Sequence, residues 1–191
     1  MRPFHVAALL MAALGILGGP ATASTIPSLD FRQGQTTIAL GLADMSLDYA
    51  LTDRLSFGLS SAYVLPAYLL MVPGATGAGR TTYKLTRLYN LDVGVMLSAG
   101  YGAFRFPGAN FASESAGWWW QPAINVALVN RPPYERWTPR VTLGPVLWFG
   151  RLPEAFNAWL PLPNLELGYR LDRNNEVTLG GNSLIGWRGS F

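Results

Sequence analysis

The chain has 191 residues, a formal net charge of +3, one histidine and no cysteine. The missing cysteines exclude a disulfide framework, thiolate chemistry and a lipid anchor on cysteine, and so small a net charge leaves no electrostatic footprint for nucleic acid. Charged residues make up 13%, beside seven Trp, eight Tyr, nine Phe and 21 Gly; a soluble domain carries roughly a quarter charged, so something other than water is expected to face much of the surface.

The chain opens with Arg2, an apolar run from Val6 to Leu17, a Gly18-Gly19-Pro20 break and the small residues Ala21-Thr22-Ala23. This pattern predicts a secretory signal peptide over residues 1–23, leaving 24–191 as one domain. Beyond it the hydrophobic period is two almost throughout. Thr36 to Ala50 reads as a strand whose phase slips near Ala43 and Asp44, as at a bulge. Strands follow at Leu55 to Leu65, Thr81 to Tyr89, Leu91 to Phe104, Trp118 to Val129, Trp137 to Phe149, Leu162 to Leu171 and Glu176 to Phe191, eight in all. Short turns fall at Leu51 to Asp53, Tyr89 to Leu91, Arg131 to Arg136 and Asp172 to Asn174; longer Pro- and Gly-bearing loops run from Pro66 to Gly79, Arg105 to Gly117 and Arg151 to Pro161. A three-residue turn at Asp172 to Asn174 sets Arg170 opposite Glu176 and Gly168 opposite Thr178, and the first hairpin sets Asp48 diagonal to Arg54. The fold class this predicts is all-β, an antiparallel up-and-down barrel.

Alternation by itself leaves open which face is wet. The polar faces are small and weakly charged, with Gly58, Gly94, Gly100, Gly102, Ser56 and Ser60 and only one lysine, Lys84, which suits a crowded lumen better than a solvated exterior. Lys84, Asp92, Arg140, Glu166, Arg170, Glu176 and Arg188 are then expected to point inward as a paired polar network, because buried charge requires partners. Aromatic rings gather toward strand ends: Tyr63, Tyr101, Trp118, Trp120, Trp137, Tyr169 and Trp187, with Tyr49, Phe57, Tyr83, Tyr89 and Phe149, predict an interfacial belt in which one ring of Trp118-Trp119-Trp120 turns inward.

With the signal peptide, the alternating strands, the segment "YALTDRLSFGLS" (Tyr49 to Ser60) and the terminal "IGWRGSF", the chain resembles small eight-stranded bacterial outer-membrane β-barrels of the OmpA and OmpX type. The resemblance covers nearly the whole mature chain and is one of architecture. It implies a transmembrane barrel in a Gram-negative envelope, porin-like in build, located in the bacterial outer membrane and surrounded by its lipid. It also implies a monomer handed to the barrel-assembly machinery through a C-terminal signal carried by Trp187 and Phe191. In such barrels both termini and the short turns lie in the periplasm. Eight strands here would put the short turns opposite Phe191, so either the long connections face the periplasm or a strand is hidden near Ala43.

Candidate chemistry is sparse. "GATGAGRT" (Gly74 to Thr81) nearly matches a phosphate-cradling loop, but Arg80 replaces the lysine and a strand-like segment replaces the helix such a loop requires. The outer-membrane barrel enzymes that deacylate or palmitoylate lipid A, cleave proteins or hydrolyse phospholipid all use histidine, and the single histidine here is His5, within the signal. No catalytic residue, cofactor or metal ligand is therefore expected, and the chain reads as a non-enzymatic structural or surface-interaction protein. Three alternatives remain: a secreted or periplasmic barrel with a small hydrophobic ligand inside, a lipid-modifying enzyme without histidine, and a helical membrane protein using the uncharged run Leu55 to Gly79. The apolar stretch Ala67 to Pro73 is expected to lie on a membrane surface.

Overall fold

The computed structural model describes residues 26–42, 44–64, 74–105, 114–128, 136–150, 164–180 and 184–191. The signal segment and Ala67 to Pro73 lie outside them. The strands are β1 (Thr36–Gly41), β2 (Asp44–Ala50), β3 (Leu55–Val64), β4 (Gly74–Leu88), β5 (Leu91–Arg105), β6 (Glu114–Leu128), β7 (Trp137–Leu143), β8 (Leu147–Gly150), β9 (Asn164–Arg170), β10 (Asn175–Gly180) and β11 (Ile185–Ser190). All pairings are antiparallel between chain neighbours, β11 pairs with β1, and β7 and β8 share one place beside β6. The result is a closed up-and-down barrel of ten strands with no helix among the described residues. Of the uncharged run Leu55 to Gly79, weighed as a helix, Leu55–Val64 is β3 and the part from Gly74 opens β4, while residues 65–73 lie outside the described residues.

Ten strands replace the expected eight because two apparent single strands are hairpins. Thr36 pairs with Tyr49 and Leu40 with Met45, so the phase slip at Ala43 is a reversal of the chain and not a bulge. The partner numbers sum to an odd value, which exchanges the inward parity from Thr37 and Ala39 to Ser46 and Asp48. At the other end, Val177 pairs with Trp187 and Leu179 with Ile185; this sum is even, so inward parity survives the turn and the alternation reads straight through it. Gly180 at φ +94° and Leu184 at φ +59° bracket the reversal, the left-handed conformation that turn glycines supply at little cost.

Two irregularities follow from local chemistry. β7 and β8 keep one register along β6 (Ile124 with Leu143, Trp120 with Leu147), in which Pro122 falls opposite Pro145. Neither has an N–H to donate, and the ladder breaks there. The true bulge lies at Leu85, between the pairs Lys84–Gly94 and Thr86–Val93. It shifts parity so that Lys84 and Arg87 reach the same side of the wall. β4 and β6 also begin earlier than expected, at Gly74 and Glu114.

With ten strands the conflict over the turns disappears. The start of β1, Phe191 and the connections after β2, β4, β6 and β9 all lie at one rim, here called the terminal rim; the far rim takes the ends of β3, β5 and β8 and the reversals after β1 and β10. Phe191 N–H donates to Thr36 O at 2.8 Å and Thr36 N–H to Phe191 O at 2.9 Å, which fastens the seam.

Polarity is inverted relative to a soluble domain. Ser46, Asp48, Ser60, Arg80, Thr82, Ser98, Gln121, Asn125, Thr142 and Thr178 are buried inside, while Leu40, Leu47, Leu59, Leu97, Ile124, Leu143 and Phe149 are exposed outside. This is the reverse of a barrel lined by its leucine and tryptophan faces. Lumen glycines serve as holes for large side chains opposite: Asp48 occupies the place of a Cβ at Gly58, Leu29 at Gly94, Trp119 at Gly100 and Glu176 at Gly168. Outward Gly77 and Gly79 face open space.

Gly58→Val should therefore lower stability by about 1–3 kcal/mol through overpacking against Asp48. Gly77→Ala and Gly79→Ala should be neutral or stabilising by up to about 1 kcal/mol. Urea midpoints followed by circular dichroism check both.

Candidate functional site

Four clusters and an inserted segment line the lumen. Toward the far rim, inward β-strand alternation points Trp119 into the space over Gly100, where it is fully buried against Met96 and Ala123 and its Nε1 donates to Thr76 Oγ1 at 3.0 Å. This is the inward ring of the tryptophan triplet. In a second cluster, Arg80 Nε donates to Asp48 Oδ1 at 2.8 Å and Nη2 to Ser46 Oγ at 3.0 Å. Asp48 stands opposite Gly58, and the missing side chain there lets its carboxylate reach past β3 to β4. Its partner is Arg80, not the expected Arg54, which is exposed at a turn. Gly74 to Arg80 lies in β4 in register with β3, so it is no phosphate loop.

The third cluster is a closed square of alternating charge. Arg140 donates from Nη1 to Glu166 Oε1 at 3.0 Å and from Nη2 to Glu176 Oε2 at 2.6 Å. Arg188 donates from Nη2 to Glu166 Oε1 at 2.8 Å and from Nη1 to Glu176 Oε2 at 3.2 Å. Thr138 Oγ1 also donates to Glu176. Register builds the square, since Arg140 sits opposite Glu166 and Glu176 opposite Arg188, with Gly168 clearing the path for Glu176. The four charges cancel; Glu176 accepts from three donors and Glu166 Oε1 from two.

The N-terminal segment turns back into this space. Ile26, Leu29 and Phe31 are buried there, apolar side chains set among ion-paired groups. Arg188 Nη2 donates to Ile26 O at 2.6 Å and Lys84 Nζ to Leu29 O at 3.0 Å. Lys84 Nζ also lies 3.1 Å from Asp92 Oδ2, and Arg87 grips the same carboxylate with Nε at 2.6 Å and Nη2 at 2.7 Å.

The seven predicted lumen charges thus separate. Arg140, Glu166, Glu176 and Arg188 form the square, and Lys84 and Asp92 belong to a different cluster. Arg170 keeps its predicted place opposite Glu176 in the ladder, but its guanidinium goes to Asp30 at 3.4 Å on the terminal rim. Arg80, Arg87 and Trp119 complete the lumen. Only the bulge at Leu85 brings Arg87 inward, which period-two reading cannot anticipate.

Of the predicted aromatic belt, Tyr101, Trp118, Trp120 and Trp137 are exposed outside, Tyr169 and Trp187 are half-buried there, and the side chain of Tyr63 lies outside the described residues. Tyr101 and Trp118 meet edge to face at 5.4 Å, and Trp137 and Tyr169 at 4.7 Å, each pair in cross-strand register. Trp187 and Phe191 close over Gly189 from outside, shielding a bare stretch of backbone.

At the terminal rim the lumen opens into a vestibule of about 890 Å³. The square forms part of its floor, and Arg32, Arg136, Arg170, Arg173 and the turn Asp172 to Asn175 stand around its mouth. The Asp172 carboxylate is held below the usual range by the Asn175 amide and the backbone N–H groups of Asn174 and Asn175, which it accepts at 2.7 and 2.8 Å from the latter two. Among the described residues no three His, Cys, Asp or Glu side chains gather as a metal site would need. A scan against family models finds no match, and searches of curated proteins and of solved structures find none either.

Glu166→Ala should strand Arg140 and Arg188 on one carboxylate and cost about 3–5 kcal/mol, whereas replacing Arg140 and Glu166 together by Met and Leu should cost less. The comparison is made by equilibrium urea unfolding.

Proposed function

We propose that the chain is an integral β-barrel of a bacterial outer membrane, non-enzymatic and monomeric, with a structural or surface-interaction role. The observation that carries this reading is the inverted polarity: an apolar wall outside and a polar, ion-paired interior. Immersion in hydrocarbon suits such a wall, because a closed barrel pairs its backbone groups from strand to strand. Ten residue steps from Trp118 to Leu128, at about 3.3 Å each and tilted about 40°, rise roughly 25 Å, the height of the apolar band in membrane barrels. Exposed rings mark both ends of the tall wall: Tyr101, Trp118, Trp120 and Phe149 toward the far rim, and Tyr49, Phe57, Tyr83 and Trp137 toward the terminal rim. The entry into β1, Phe191 and the turns after β2, β4 and β9 share one rim, which fits a periplasmic terminal rim, with the connections after β3, β5 and β8 outside the cell. The Trp187 and Phe191 pair beside the seam supplies the C-terminal signal for the assembly machinery.

The lumen favours support or display over conduction. Trp119, three ion-paired clusters and the inserted Ile26 to Phe31 segment occupy the bore. The absence of histidine after residue 5 argues against the histidine-dependent chemistry of known barrel enzymes.

Reconstitution into vesicles with brominated acyl chains should quench most of the tryptophan emission, and Trp118→Phe, Trp120→Phe and Trp137→Phe together should remove most of the quenchable part. The unheated protein should also change gel mobility on boiling. A mature chain that stays monomeric in plain buffer, with emission indifferent to brominated lipid, would overturn the assignment.

A further inference from the structure

From the vestibule at the terminal rim we infer a binding site for a small, multiply charged phosphate anion. Six arginines line this one chamber: Arg140 and Arg188 in the floor, Arg32, Arg136, Arg170 and Arg173 around the mouth. Its acids are already engaged. Glu176 is taken by both floor arginines, Asp30 by Arg170, and Asp172 by the donors of its own turn. Arg32, Arg136 and Arg173 have no carboxylate partner among the described residues.

These three guanidinium groups hang from separate elements: the segment before β1, the start of β7 and the β9–β10 turn. Closure of the barrel brings them to one mouth. A chamber of about 890 Å³ is roughly 10 Å across, close to the screening length of about 8 Å at physiological salt, so their fields overlap within it. Low-dielectric walls focus that field. The volume suits a small molecule.

The charge to be met decides the ligand class. One carboxylate would leave two of the three cations unsatisfied, whereas a diphosphate concentrates about three negative charges at neutral pH in one compact group. Planar guanidinium forks grip phosphate oxygens two at a time. The buried square beneath does not compete, since each of its arginines already serves two carboxylates. Such a group could arrive as a free oligophosphate or on a phosphorylated lipid headgroup. The site depends on the vestibule and not on what surrounds the wall, so it can fail while the membrane reading stands.

The test is isothermal titration of inorganic pyrophosphate, and separately of phosphatidic acid in mixed micelles, into the purified full-length mature chain. The detergent is a maltoside, which carries no phosphate, and potassium chloride at equal ionic strength is the control. Saturable binding of either probe is expected, weakened at least tenfold by Arg136→Gln with Arg173→Gln and unchanged by Arg54→Gln, an exposed arginine near the same rim but outside the chamber. Pyrophosphate binding without lipid binding assigns a free ligand; the converse assigns a headgroup. Circular dichroism confirms that each variant is folded. Absence of binding by both probes, or binding that the paired variant leaves intact, overturns the inference.

Discussion

A closed wall gives an inward charge no way out to solvent except along the bore. Every carboxylate and guanidinium on that side must find its counterpart across the lumen, and the arrangement of strands follows from this need. The square of Arg140, Glu166, Glu176 and Arg188 spans four wall strands, and Asp48 with Arg80 bridges β2 and β4 over an intervening strand. Such reach requires clear space above the strand in between, which Gly58 and Gly168 provide. The high glycine content is the steric complement of the ion pairs.

The face of most strand residues was legible in the sequence, and the number of strands was not. Alternation identifies sidedness because a strand's side chains point to opposite faces in turn, and a hairpin whose partner numbers sum to an even value leaves that alternation undisturbed. Gly180 therefore looks like one more small lumen residue while it turns the chain. The Ala43 reversal did leave a visible phase slip, but a bulge and a hairpin make the same mark on the pattern, and the difference lies in pairing across the chain. The site shows the same division. Arg140, Glu166, Glu176 and Arg188 could be assigned inward from parity, while Arg87 is carried in by a bulge at an unremarkable leucine and Arg80 lies in a glycine-rich run that reads as loop. Their partners depend on which strands adjoin, which is a property of closure.

The segment from Ile26 to Phe31 completes the interior chemically. Polar walls alone would leave a wet bore; three apolar side chains held through backbone carbonyls by Arg188 and Lys84 take up part of that space without adding charge. The same two cations thereby satisfy strand carboxylates and tether the segment that leads into β1. Among the described residues the bore is occupied at its centre and opens toward the terminal rim as the vestibule.

The cylinder is lopsided. β4, β5 and β6 have 15 residues each, whereas the flank made of β10, β11, β1 and β2 has strands of six or seven. A strand crosses a bilayer with about 9–11 residues, and this flank rises only some 15 Å by the same tilt. Its two hairpin tips carry Leu42 and Leu184, both exposed. On the proposed reading those tips stop within the acyl layer, and the surrounding leaflet has to pinch down on one side to meet them. A protein of this shape would tilt in a flat sheet of lipid and settle where the sheet is already thin.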